Sequence, residues 1–248
     1  MKGGIIIPVY NHGKACVTVV EGLLQYSYPI MLVDDGNGEE TKSYLRQIVA
    51  AHPQVLLVTL HKNCGKGGAF AAGIAQAHAL GWTHALQIDA DGQHDITQTP
   101  AFFAAAEQNP AAMILGYPQY DQSAPSHRKN GRKFANTWAK VVSFEGGIVD
   151  SMCGFRVYPV EPTHRLFTHG RCDRRMGFDI DILVRLIWRG VPYTFLPVHV
   201  TYPADGISNF HVVRDNARIS WVYTKLCTGM LLRLPLLIAK VLKRKRTR

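Results

Sequence analysis

Five short apolar runs mark the first half of the chain: Gly3–Val9, Ile30–Val33, Val55–Leu60, Ala85–Ile88 and Met113–Leu115. Each is bounded by turn-forming or polar residues, the pattern of strands buried on both faces of a parallel sheet. Between them lie segments of helical pattern, over roughly Ala15–Leu24, Glu40–Ala51, Gly68–Leu80 and Thr97–Gln108. The alternation predicts an α/β layered fold, a mostly parallel sheet flanked by helices. The second half is less regular. Residues 117–131 are rich in Pro, Ser, Asn and Gly and predict a long surface loop. A helix over Arg132–Phe144 follows, then a strand through Phe155–Tyr158, a helix over Asp179–Arg189 and a strand over Tyr193–Val198. The last part, Val212–Leu242, reads as helical with a break near Pro235.

Ligands of such sheets bind at the carboxyl ends of the strands, and the distinctive residues fall there. Pro8-Val9-Tyr10-Asn11 closes the first strand and Asp34-Asp35-Gly36 the second; Lys62-Asn63-Cys64-Gly65-Lys66-Gly67 follows the third and Asp89-Ala90-Asp91-Gly92-Gln93 the fourth. Four clusters at consecutive strand ends define a cleft. In extended chain Asp89, Asp91 and Gln93 face one side, so two carboxylates and an amide oxygen can converge on one ion. These hard oxygen ligands suit Mg²⁺ or Mn²⁺ bridging a diphosphate, although the same residue types also make ordinary turns.

Asp34 and Asp35 can accept hydrogen bonds from a base or a ribose, or form an Asp-Gly turn into the next helix. The run Asn63–Gly68 resembles a phosphate-cradling loop, with Lys66 adding charge at a helix N-terminus. It lacks the GK-Ser/Thr spacing of an ATPase. Asp179 and Asp181 open a helical pattern, where a carboxylate can act as general base on an acceptor hydroxyl or complement the helix dipole. Asp181 reads more simply as the second. Arg128 and Arg132, in or beside the long loop, can hold an acceptor phosphate with their forked guanidinium groups or form a solvated patch.

The chain has 248 residues, 47% hydrophobic and 19% charged, a globular composition able to bury a full core. Five scattered cysteines without a CxxC pair argue against a disulfide framework or a zinc site and for a reducing compartment. The net charge of +10 calls for anionic partners. Lys240, Lys243, Arg244, Lys245, Arg246 and Arg248 crowd the C-terminus, and Arg128, Lys129, Arg132 and Lys133 form a second cluster. With the apolar residues of Leu226–Leu242, the tail predicts contact with an anionic membrane surface. No aromatic interleaving accompanies the charge, so nucleic acid fits less well. No signal peptide and no uninterrupted apolar stretch of bilayer-spanning length are expected.

The motifs IIIPVYN from Ile5, VDDG from Val33, KNCGKGGA from Lys62, QIDADGQHD from Gln87 and DSMCGFRVYP from Asp150 occur in the order found in a known family. The chain resembles the family 2 glycosyltransferases, and within them the branch similar to dolichol-phosphate mannose synthases. The resemblance continues through GFDIDILVRLIWRG from Gly177 and covers most of the chain. It implies a GT-A fold over residues 1–210, with a nucleotide-sugar half (1–116) and an acceptor-side half (117–210), followed by a helical, basic segment over 211–248. It implies an inverting transfer from a UDP- or GDP-sugar to a lipid-phosphate or glycolipid acceptor, at the cytoplasmic face of the cell membrane. By position, Pro8, Tyr10, Asn11, Asp34 and Asp35 look like the nucleoside pocket, with Lys66 beside it. Asp89, Asp91 and Gln93 look like the donor-phosphate and metal site, and Asp179 like the family's base. A lipid phosphate, already ionised, would need no base. A nucleotidyltransferase is the rival enzyme, but residues 8–14 lack the Gly- and Arg-rich loop it requires. A non-catalytic nucleotide-sugar-binding membrane scaffold is the rival from another class, opposed by the intact acidic set.

Overall fold

The computed structural model describes residues 1–120, 126–170, 172–201 and 212–246. In order these form β1 (Gly3–Val9), α1 (Gly13–Leu23), β2 (Ile30–Asp34), α2 (Glu39–Ala51), β3 (Val55–Thr59), α3 (Lys66–Ala79) and β4 (His84–Gln87). After a 3₁₀ turn at Ile96–Gln98 come α4 (Thr99–Gln108), β5 (Met113–Tyr120), α5 (Ser126–Ser143), β6 (Arg156–Pro159) and α6 (Val160–His169). The chain continues with α7 (Phe178–Trp188), β7 (Tyr193–Val200) and α8 (Val212–Arg246).

The strands form one sheet in the order β3-β2-β1-β4-β6-β5-β7. Only β6 runs against the others, antiparallel to both β4 and β5. The continuous apolar run of β1 follows from its place in the middle. Ile5, Ile7 and Val9 pack on one face among Cys16, Leu23, Leu45 and Phe102 of α1, α2 and α4. Ile6 points to the other face, among Phe70 and Ile74 of α3 and Leu183 of α7. Each buried isoleucine adds about 2 kcal/mol to that arrangement. After β1 the chain winds outward through β2 and β3, then returns to place β4 on the opposite side of β1. That reversal opens a crevice beyond the carboxyl ends of β1 and β4, where ligands of open α/β sheets bind.

Two expectations are corrected. The long loop over 117–131 is shorter, because β5 runs to Tyr120 and α5 starts at Ser126. Pro118 is tolerated in β5 because β6 pairs only at Ile114 and Leu115, so the missing N–H costs no ladder bond on that side. The break near Pro235 does not occur: α8 is continuous with Pro235 inside it. The flanking Leu, Ala, Met and Lys residues are good helix formers, and Pro235 is exposed, so the unpaired carbonyl one turn back is not buried. Within α8, Ala217–Ala239 is long and apolar enough to cross a membrane by length and composition, but Arg218, Lys225 and Arg233 interrupt it. The first half of α8 packs through Val222 and Leu226 on Ala135 and Val142 of α5 and Ile180 and Val184 of α7.

Candidate active site

Lys66, the first residue of α3, reaches from the end of β3 toward two carboxylates. Its Nζ lies 2.8 Å from Asp89 Oδ1 and 2.9 Å from Asp179 Oδ2. Burial works against the charged ammonium, but the two carboxylates outweigh it and raise its pKa. Burial likewise works against the Asp89 carboxylate, yet Lys66, with His94 and Arg156, holds its pKa below the ordinary value. One ammonium thus ties the end of β4 to the first turn of α7.

The turn after β4 differs from the extended geometry expected for Asp89, Asp91 and Gln93. The chain turns at Ala90–Gly92, with Gly92 at φ +71°. Asp91 Oδ1 accepts the Gln93 N–H at 3.1 Å, and the Gln93 carbonyl accepts the N–H of Thr201 at 3.0 Å. These bonds tie the Gln93 main chain to Asp91 and to the end of β7. Burial and then the Asp89 charge raise the Asp91 pKa. His94 stands beside the pair, with Nε2 3.8 Å from Cys153 Sγ; burial lowers its pKa against the pull of both carboxylates. Among the described residues no group of three or more His, Cys, Asp or Glu side chains is arranged to hold a metal ion.

Asp34 and Asp35 are each 2% exposed. Both carboxylates accept hydrogen bonds from the protein. Asp34 Oδ1 accepts both the main-chain and amide N–H of Asn37, whose own Oδ1 accepts the Asn11 N–H at 2.7 Å. Asp35 accepts from Asn63 Nδ2 and from the N–H groups of Cys64 and Gly65, at 2.9, 2.6 and 2.9 Å. Burial raises the Asp35 pKa despite these bonds. The two carboxylates shape the cleft wall, in which Tyr10 and Asn11 are exposed and Pro8 half-buried. Asn11 sits at φ +60°, a left-handed conformation that Asn tolerates better than most residues.

Much of the glycine-rich loop is engaged with the protein itself. Its N–H groups at 64 and 65 serve Asp35, and the Gly68 N–H donates to the Arg174 carbonyl at 3.2 Å. Residues 173–178 lie over the loop so closely that a Cβ on Gly65 would overlap the Arg174 oxygen. A Cβ on Gly67 would stand 2.6 Å from the Asp173 oxygen. The glycines are there for close packing of chain on chain. Lys66, expected beside the nucleoside, pairs with Asp89 and Asp179.

The two acidic residues of α7 separate cleanly, because positions two apart on a helix point about 200° away from each other. Asp179 faces the cleft. Asp181 is fully buried, paired with Arg185 Nε at 2.7 Å and accepting the Asp173 N–H at 2.6 Å. The catalytic assignment of Asp181 is thereby corrected: it fastens the 173–178 segment to α7. Arg132 Nη1 bonds both oxygens of Asp150 at 2.8 Å, and Asp150 also accepts the N–H of Met152 and Cys153. Arg132 thus braces the loop that carries Gly154. The Arg128 side chain lies outside the described residues, as do those of the basic tail.

Several site residues escaped sequence reasoning. A Cβ on Gly154 would overlap Asp89 Oδ2 and stand 2.8 Å from Lys66 Nζ. Gln87 and Arg156, paired across β4 and β6, are fully buried beneath Asp179. A charged or amide residue inside an apolar strand, as in FRVYP and ALQI, is the signal that marks them.

The family model described as Glycosyl transferase family 2 matches residues 4–167. A dolichyl-phosphate beta-glucosyltransferase of Trichomonas vaginalis is 26% identical over 212 residues, covering 78% of this chain, which spans 62% of that protein's length. An undecaprenyl-phosphate mannosyltransferase of Micrococcus luteus is 26% identical, over 77% of this chain and 82% of its own. Among solved structures, glucosyl-3-phosphoglycerate synthase from Mycobacterium tuberculosis, in complex with Mn²⁺, uridine diphosphate and glucosyl-3-phosphoglycerate, superposes with a TM-score of 0.68. It is 13% identical, over 92% of this chain and 80% of that one. The fold is therefore the GT-A fold of that synthase.

Proposed function

The chain belongs to glycosyl transferase family 2, and from that premise we propose that it transfers a hexose from a UDP- or GDP-sugar to a polyprenyl phosphate, with inversion. The observation that carries this reading is Lys66 bridging Asp89 and Asp179 at the crevice where β1 and β4 part. An acceptor phosphate oxygen attacks the anomeric carbon while the bond to the donor diphosphate breaks, and the nucleoside diphosphate leaves with the electron pair. A phosphate brings its own negative charge and has no proton to lose. Both oxygens of the Asp179 carboxylate already accept hydrogen bonds, Oδ2 from Lys66 and Oδ1 from Gln87, so the site suits a phosphate acceptor better than a glycolipid hydroxyl that must hand over a proton. Relatives named for dolichyl and undecaprenyl phosphate support the same acceptor class.

Asp89 and Asp91 fit a divalent cation, Mg²⁺ or Mn²⁺. Burial and the neighbouring Asp89 charge raise the Asp91 pKa, and a dication held beside the two carboxylates would offset both effects. When bound, such an ion offsets the charge that builds on the leaving diphosphate. Tyr10 and Asn11 contact the nucleoside, in a frame set by Asp34, Asn37 and Asp35. Arg132 holds the 150–154 loop toward the acceptor side. The enzyme works at the cytoplasmic face of a membrane, to which α8 and its cations bind.

The test is transfer from a panel of nucleotide sugars to a polyprenyl phosphate, with and without Mn²⁺, by the full chain and by Asp91→Asn. The expected product is free nucleoside diphosphate, and the variant loses on the order of 100-fold in kcat/KM while its melting temperature is kept. Release of pyrophosphate, or equal activity in the variant, would contradict the reading.

A further inference from the structure

We propose that Arg156 and Gln87 are positioning residues, which from inside the sheet fix Asp179, and through it Lys66, in the geometry that transfer requires. The proposal rests on the reading that the Lys66 cluster is the reacting centre.

Gln87 ends β4 and Arg156 begins β6, directly opposite each other in the antiparallel pair. Directly opposed residues project to the same face of a sheet. Here it is the face of Tyr158 and Phe178, beneath the first turn of α7. Both side chains are 0% exposed. Arg156 Nη1 donates to the Asp179 carbonyl at 2.7 Å and meets the Tyr158 hydroxyl at 3.4 Å. Gln87 Nε2 donates to Asp179 Oδ1 at 3.3 Å. Asp179 is thus held twice from below, by its main chain and by one carboxylate oxygen, which leaves Oδ2 turned to Lys66.

As packing, the pair is a poor solution. Among the described residues, Arg156 Nε and Nη2 and Gln87 Oε1 have no hydrogen-bond partner. Buried polar atoms without partners are costly, and an apolar residue of similar shape in place of a buried ion is often neutral or stabilising. What an apolar residue could not supply is the convergence of two donors on Asp179. A structural role and a positioning role therefore predict opposite outcomes for the same substitution.

The experiment measures melting temperature, donor affinity by calorimetry with Mn²⁺, and kcat of transfer to polyprenyl phosphate, all on the full chain. Arg156→Met is expected to keep or raise the melting temperature and to bind donor within about threefold of wild type, while kcat falls about tenfold or more. Arg156→Lys, which keeps a donor in reach of the carbonyl, regains part of the rate. Gln87→Leu lowers kcat in the same direction without disturbing the guanidinium. In an Asp179→Ala background, read at high enzyme concentration, Arg156→Met and Gln87→Leu each cost no more than about twofold further, because what they position is gone.

Wild-type kcat in Arg156→Met and Gln87→Leu overturns the proposal, as does a full multiplicative loss on top of Asp179→Ala. Should Arg156→Met fail to fold, Gln87→Leu and its double variant decide alone. If the wild-type chain transfers nothing to polyprenyl phosphate, the acceptor assignment fails instead. The same ratios, read from donor hydrolysis, then still decide the role of the pair.

Discussion

Gly154 has no side chain because Asp89 and Lys66 occupy the space one would need. Its Cβ would overlap Asp89 Oδ2 and press on Lys66 Nζ, so even a methyl group must push the ion pair aside. Gly154→Ala is expected to fold, since the loop is anchored separately by Asp150 and Arg132. Transfer should fall on the order of 100-fold, the scale of an ångström-sized misplacement of reacting groups. A melting curve together with a transfer assay checks this; wild-type activity in the alanine variant would mean that the Lys66–Asp89 pair is not needed as it stands. At this scale charge chemistry was easier to read in the sequence than its surroundings. Asp89, Asp91, Lys66 and Asp179 stood out as polar residues at strand and helix ends. Gly154, Asn37 and Arg156 did not, because each acts through a contact with a residue distant in sequence.

β4 shows how one element carries both site and stability. Its carboxyl end delivers Asp89, while its first residue, His84, is buried, with Nε2 2.9 Å from the Pro110 carbonyl. Burial lowers the His84 pKa, against the pull of that hydrogen bond and with help from the N-terminal ammonium. As pH falls through the ordinary histidine range near about 6.5, the unfolded chain takes up a proton that folded His84 refuses, so stability is lost toward acid and is fully present above that range. His84→Gln should therefore flatten the fall of melting temperature between about pH 7.5 and about pH 5; parallel curves for variant and wild type would contradict the assignment. The element pattern was largely visible in the sequence because β1, β2 and β4 are buried on both faces and so appear as apolar runs. The β5–α5 boundary was not. Tyr117–Tyr120 has loop-like composition, and only pairing with β7 along the whole strand makes it extended. The glycine loop is ambiguous for a related reason: the same residues that can cradle phosphate also permit the close approach of residues 173–178.

The whole molecule is asymmetric in charge and in apolar exposure, and both asymmetries meet in α8. Trp221, Leu232 and Leu236, which fall on one face of the helix, are 63%, 78% and 74% exposed. Of the cations that interrupt the segment, Arg233 turns back onto the domain, its guanidinium 4.9 Å over the Trp188 ring, and Lys225 reaches toward Asp173 at 4.0 Å. The outward face is therefore more apolar than composition suggests, and the sequence continues into a run of cations. An apolar face and a basic end attract an anionic bilayer by different forces, which can be separated. Cations near such a surface add about 1 kcal/mol each, and salt screens this attraction over a Debye length of about 8 Å at physiological ionic strength. Apolar insertion is not screened. Replacing Lys243, Arg244, Lys245 and Arg246 by Gln should lower binding to anionic vesicles on the order of 100-fold at low salt and much less at high salt. Leu232→Gln with Leu236→Gln should lower it at every salt concentration. In vesicle co-sedimentation the salt dependence belongs to the first set and the salt-independent loss to the second; if both variants bind as the wild type does, α8 is not the membrane-facing element.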